Sequence, residues 1–294
     1  MRTVYREKKY TCGEYLDVYI YPVFETGKLG GGKRAKKKPS TEAQKKLNQK
    51  HREEKLVRLL HANFTPEDLE IHLTYKGEQP GSDEEAARNL RNYIRRIQRL
   101  RKKMGLPPLK YIAVTERGKR GGRYHHHITV NGGIDRDTLE SMWEYGYSNS
   151  RRLQFTEDGL AGLGNYIVKT PVGGKAWTAS KNLVDPEPRT RDGRISGSKA
   201  RELAKSLESG EKFAKFESLY PGYLMSAAEA FHNDVNGGCY LEARFYRKDG
   251  KFIKPQKRKK QKRESKVENA TKDEAKSIMI TAAYAPEGEE ISNE

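Results

Sequence analysis

Three consecutive histidines, His125, His126 and His127, stand in the stretch RYHHHITVNGG (123–133) of a chain that has only seven histidines among its 294 residues. Side chains of a strand alternate between faces, so His125 and His127 point one way while His126 joins Ile128 and Val130 on the other. Two imidazoles at that spacing can share one divalent cation. The apolar pair marks the opposite face as packed, with His126 as a spacer on it. Glu116 ends the preceding strand nine residues before His125, and a hairpin folded at RGKRGGR brings its carboxylate near the imidazoles. Two histidines and a carboxylate with open positions suit Mg²⁺ or Mn²⁺, which favour oxygen ligands and accept imidazole in mixed sites. Strict alternation puts Glu116 on the face of Ile112 and Val114, residues that ought to point into the core. The carboxylate therefore needs a twist or a bulge at the strand end to reach the metal.

A second chemical element lies downstream in NYIVK. The pattern of DGLAGLGNYIVKTP predicts a helix over 158–169, halted by Pro171. Leu160, Leu163 and Ile167 share its buried side, Tyr166 sits at the margin, and Lys169 is its neighbour one turn on. A tyrosine beside a cation-bound phosphate is a competent nucleophile, with the lysine steadying the phosphate or the phenolate. An amphipathic tyrosine at a helix margin is the plainer role for any one such residue.

The elements that must position these groups are legible in outline. EYLDVYIYPVFE (14–25) and LEIHLTYKG (69–77) alternate as strands, and LKYIAVTE (109–116) with YHHHITVNG (124–132) reads as an antiparallel hairpin. Thr41 with Gln44 and Ser82 with Glu85 form capping boxes that open two helices, the first running to about residue 61. In the second, Ala86, Leu90, Tyr93, Ile94, Ile97 and Leu100 recur at helical spacing until Gly105, and Arg88, Arg91, Arg95, Arg96, Arg99 and Arg101 line the other face. Shorter helices are predicted over 136–145 and 199–216. Asn236-Gly237-Gly238 between two alternating runs signals another hairpin. From Lys251 a basic block and an acidic end carry no apolar period, which predicts disorder. The resulting division is 1–62 as an N-terminal strand, basic linker and basic helix, 63–250 as the body with a C-terminal hairpin extension, and 251–294 as a tail.

Composition bounds the partners. Lysine and arginine number 58 against 40 acidic residues, leaving +18, a field that attracts polyanions through counterion release. Two cysteines, far apart, suggest no disulfide framework or zinc cluster. No run approaches the roughly 20 apolar residues of a membrane span, so a soluble, cytoplasmic protein with no membrane partner is expected. Gly27 to Lys33 spells most of a phosphate-binding P-loop, but Arg34 occupies the position of the magnesium-binding Ser or Thr, and a flexible basic linker is the reading kept.

Taken in order, IHLTY (71–75), HHH with His125 and His127 as its outer pair, and Tyr166-x-x-Lys169 resemble the three motifs of HUH-type rolling-circle replication initiators. Glu116-x8-His125-x-His127 also resembles the metal-ligand spacing of viral Rep relatives. The resemblance covers about 70–170. The segment 172–247, with AWTASKNLVDP and the NGG hairpin, looks like replication proteins of small phages, plasmids and mobile elements. It implies an α+β fold with a central antiparallel sheet of RRM-like or ferredoxin-like topology, helices on one face, the metal on the other, and extra N- and C-terminal elements. It further implies nicking and rejoining of single-stranded DNA at an origin hairpin through a 5′-phosphotyrosine on Tyr166. A bacterial host would supply the helicase and the polymerase. The rival reading is a non-catalytic single-stranded nucleic-acid-binding protein with an RRM-like sheet. That rival needs aromatic side chains on the open strand face, where the sequence offers His125, His127 and Thr129.

Overall fold

The computed structural model describes residues 4–24, 41–118, 122–167, 176–208, 214–233 and 236–250. Lys169, the Gly27–Lys33 stretch and the tail from 251 lie outside the described residues. The chain is α+β with two antiparallel five-stranded sheets, and it clusters into two compact units. One unit joins Met1–His51 to Glu187–Gly250; the other is Arg52–Pro186.

In the first unit, β1 (Val4–Cys12) and β2 (Tyr15–Val23) form a hairpin, and β9 (Tyr223–Asn233) and β10 (Gly238–Arg247) form another at the predicted NGG turn. With β8 (Arg189–Asp192) the sheet order is β8-β1-β2-β10-β9. Leu16, Val18, Ile20, Leu241 and Phe245 bury their face with Ala200 and Leu203 of α5 (Gly197–Glu208) and Phe216 of α6 (Ala214–Glu217). The C-terminal hairpin thus belongs with the N-terminal strands, because β10 pairs with β2 over six residues of register. It is not an appendage of a 63–250 body. β1 was not foreseen: VYREKKYTC is mostly charged or polar, and its strand character comes from lying between β2 and β8.

The second unit holds the rest of α1 (Glu42–Asn63) and a sheet ordered β6-β3-β5-β4-β7, from β6 (Ser148–Arg152), β3 (Leu69–Thr74), β5 (Tyr124–Val130), β4 (Tyr111–Arg117) and β7 (Thr178–Ala179). With α2 (Asp83–Lys103) between β3 and β4 and α3 (Arg136–Ser141) between β5 and β6, the first four strands have the βαββαβ, ferredoxin-like arrangement. Ser82 caps α2, its side chain accepting from Glu85 N as the sequence predicts. Leu69, Ile71, Leu73, Ile128 and Val130 bury one sheet face with Leu90, Tyr93 and Ile97 of α2 and Leu139 of α3. Each of these apolar side chains contributes roughly 1.5–3 kcal/mol by leaving water, which pins the strand register and so fixes what stands on the opposite face. Arg101 departs from the expected arginine face. It is buried, and its guanidinium donates to the carbonyls of Pro107, Asn131 and Gly132 at the end of the β4–β5 hairpin.

Candidate metal centre

The other face of the second sheet carries alternate residues of three adjacent strands: Glu70, His72 and Thr74 from β3, His125, His127 and Thr129 from β5, and Ile112, Val114 and Glu116 from β4. Register sets their pairings. His72 stands opposite His127, Thr74 opposite His125, and Glu116 opposite His125 on the other side. One ring nitrogen from each of His72, His125 and His127 comes together within 4.8 Å, a geometry that could hold a metal ion. The rings of His72 and His127 stack at 4.6 Å, and His125 meets both edge-on at 5.5 Å.

Electrostatics and hydrogen bonding fit that role. His127 is buried, and neither ring nitrogen has a hydrogen-bond partner; Glu70 Oε1 lies 3.4 Å from Nδ1 without hydrogen-bond geometry. A buried, unpaired polar nitrogen is costly, about 1–3 kcal/mol, and an ion would satisfy it. Burial first, then the neighbouring His127 and His125, push His72 down to about 4, so it is a neutral base at neutral pH, as a metal ligand must be. His125 is raised, chiefly by its bond to Glu116, whose Oε2 lies 3.0 Å from Nε2. Burial raises Glu70, but its interactions with His127 and Arg151 outweigh this and hold it below the usual carboxylate range.

Glu116 therefore does stand beside the imidazoles, with its Oε1 buried and unpartnered. No bulge was needed: β4 and β5 pair without a register shift from Tyr111 to Arg117. The expectation that Ile112 and Val114 mark the helix-packed core face fails, because both are 1% exposed yet stand outside the cluster that α2 and α3 make. The sheet is buried on both faces at this end, so apolar character did not tell them apart. His126 is fully buried as a packed-side residue, and its nitrogens lie 2.9 Å from the Tyr75 and Thr115 hydroxyls.

Tyr166 lies on α4 (Ala161–Ile167), 56% exposed, its ring edge-on to His127 at 5.6 Å. Two contacts seat that helix. His61 Nε2 of α1 accepts from Leu160 N at the start of α4, and Gly164 lies so close to α1 that an added Cβ would fall 2.6 Å from Val57 Cγ2. Gly164 lets Tyr166 hang over the histidines; Lys169 is beyond the described residues.

His72 went unnominated in the sequence. Its signal was present, since LEIHLTYKG alternates and places Glu70, His72 and Thr74 on the polar side. Yet β3 reaches β5 through a crossover rather than a hairpin, so spacing alone could not bring it to the other histidines.

A ferredoxin-like α+β unit with three histidines clustered on its open sheet face and a tyrosine helix beside them is the class the geometry defines. Residues 68–171 match the family model of the replication-associated protein ORF2, about a third of the chain and the part that holds this cluster. The match supports a replication-initiator family and a role in DNA replication. No curated protein and no solved structure matches the chain. Among the described residues no helix is long and apolar enough to cross a membrane.

Proposed function

We propose that the protein starts rolling-circle replication as an HUH-type initiator, a metal-dependent endonuclease and strand transferase acting on single-stranded DNA. The observation that carries this reading is the exposed Tyr166 ring lying against His127, at the edge of a histidine cluster with unsatisfied buried nitrogens. His72, His125 and His127 would hold the ion, Mg²⁺ or Mn²⁺, with Glu116 as a further ligand through its unpartnered oxygen. When bound, the ion supplies Lewis-acid neutralisation of a phosphate's charge.

The residues of the chain do the rest. The Tyr166 oxygen attacks the scissile phosphorus, the P–O3′ bond breaks, and the phenolic proton leaves as the 3′-oxygen takes up a proton to become the 3′-OH. The phosphate stays on the tyrosine as a 5′-phosphodiester, so rejoining by reversal needs no ATP. Lys169, three residues on, would steady the phosphate or the phenolate. The free 3′-OH would prime a host polymerase, a host helicase would open the duplex, and the origin would be a single-stranded site within a hairpin.

The test is incubation with Mn²⁺ and a 3′-labelled pool of single-stranded oligonucleotides, followed by denaturing electrophoresis. An SDS-resistant labelled adduct is expected from the wild type and none from Tyr166→Phe. An undiminished adduct in Tyr166→Phe would assign the nucleophile elsewhere. His127→Ala should also give no adduct while keeping most DNA affinity, which rests on Lys and Arg.

A further inference from the structure

We propose that the β6 edge of the second sheet is a track for single-stranded DNA leading to the histidine cluster, with Tyr147 as its base-stacking platform. This rests on the nicking function proposed for the same face and names how the substrate is held there.

Register carries the argument. Tyr147, just ahead of β6, exchanges both backbone hydrogen bonds with Thr74, at 2.8 and 3.1 Å, and so stands directly opposite it. Thr74 is opposite His125, and His125 opposite Glu116. Directly opposed residues of antiparallel strands share a face, so one row across the sheet reads Tyr147, Thr74, His125, Glu116. The next reads Asn149, His72, His127, and the third Arg151, Glu70, Thr129. Tyr147 is thus two strands from His125, on the order of 10 Å, and on the same face.

Its exposure is unusual in this molecule. Among the described residues only four large hydrophobic side chains are exposed, Met104, Tyr147, Tyr166 and Val184, and two of them are tyrosines adjoining the histidine cluster. Tyr147 is the more open of the two, at 63%. The open sheet face therefore does carry an aromatic, which the sequence did not reveal because SNSRR gave no strand signal and β6 went unrecognised. The platform is also fixed in place. A Cβ on Gly146 would collide with Thr74 O and Lys76 N, so only glycine lets this turn lie against the end of β3.

The surrounding chemistry selects a single strand. Lys76 Nζ lies 5.9 Å from the Tyr147 ring centroid, and Arg151 is 70% exposed while its Nε bonds Glu70. An exposed ring beside cations matches a polymer that offers unstacked bases and phosphates together; a duplex keeps its bases stacked, and the chain's +18 charge disfavours a basic partner.

The experiment measures binding of a fluorescein-labelled mixed-sequence single-stranded DNA by anisotropy, in EDTA so that no cleavage intervenes, across a salt series. Its RNA and duplex counterparts are measured alongside. Tyr147→Ala should raise the Kd for single-stranded DNA about tenfold with the salt slope unchanged, and Tyr147→Phe should stay within about twofold of wild type, because stacking needs the ring and not the hydroxyl. Lys76→Ala should instead reduce the slope by about 0.7, the share of one phosphate on a single strand. An unchanged Kd in Tyr147→Ala, an equal loss in Tyr147→Phe, or tighter binding of RNA or duplex would overturn the track. Adduct formation by Tyr147→Ala at saturating DNA should match wild type. If wild type forms no adduct while binding still depends on the Tyr147 ring, the nicking function falls and the track stands.

Discussion

His126 and His127 are chain neighbours with opposite surroundings. On the helix-packed face, His126 has a hydroxyl at each ring nitrogen and no exposure. On the other face, His127 is almost as buried, and both of its nitrogens lack partners. Burial alone therefore does not distinguish a structural histidine from a ligand; the state of its hydrogen bonds does. A core can hold a polar ring only by satisfying it, whereas a metal site leaves nitrogens unsatisfied until the ion arrives.

The strongest way to break this contrast is to remove the rings one at a time and titrate Mn²⁺ by calorimetry. His72→Ala, His125→Ala and His127→Ala should each weaken metal binding by at least about 100-fold, more than the loss expected of a merely orienting residue. His72→Ala is the sharpest of the three, since no sequence motif points to it. Retention of wild-type affinity in that variant would dissolve the three-histidine site.

His126→Ala should do the converse. It strands the Tyr75 and Thr115 hydroxyls, at about 1–3 kcal/mol for each unsatisfied group, and opens a cavity, so denaturant unfolding should show a loss of several kcal/mol. Metal affinity of the folded fraction should stay within a few-fold of wild type. A selective loss of metal with stability unchanged would make His126 a ligand and reverse the assignment of the two faces.

The sequence announced much of this. Alternation separated His126 from its neighbours, capping residues located α2, and the NGG turn placed the β9–β10 hairpin. What it withheld depends on contacts distant in the chain. Charged β1 and polar β6 are strands because of the neighbours they pair with, and local propensity is weak evidence for such edges. His72 joined the site through a crossover, and Glu116 shares a face with Ile112 and Val114 because both sides of the sheet are covered there. The position of Tyr166 depends on Gly164 fitting against Val57, a close approach that no periodicity encodes.

Glu116 sharpens the contrast further, since it either ligates the ion or orients His125. Glu116→Gln should lower Mn²⁺ affinity about 10–100-fold, the range for a residue that orients a ligand. A larger loss, equal to that of His125→Ala, would make it a direct ligand. Affinity within about twofold of wild type would reduce the 3.0 Å contact to an incidental pair.

The smallest expected effect is in acid, and it sets the two faces against each other within one measurement. Burial is the main cause that pushes His72 down to about 4 and His126 to about 3, from an ordinary 6.5. The fold favours the neutral form of both, so their contribution is full above pH 6.5 and drains away as pH falls toward those values. His125 has the opposite sign: its bond to Glu116 raises it, so its contribution is complete below pH 6.5 and fades as pH rises through the raised value. Two depressed bases against one raised base give a net loss on acidification. The melting temperature of metal-free protein in EDTA should accordingly drop by a few degrees from pH 7 to pH 5. Saturating Mn²⁺ should steepen the drop, because protons and the ion compete for the same nitrogens. A melting temperature that rises over that interval would mean the His125–Glu116 pair outweighs both buried rings, and the difference between the faces would then lie in their carboxylates rather than in their unpaired nitrogens.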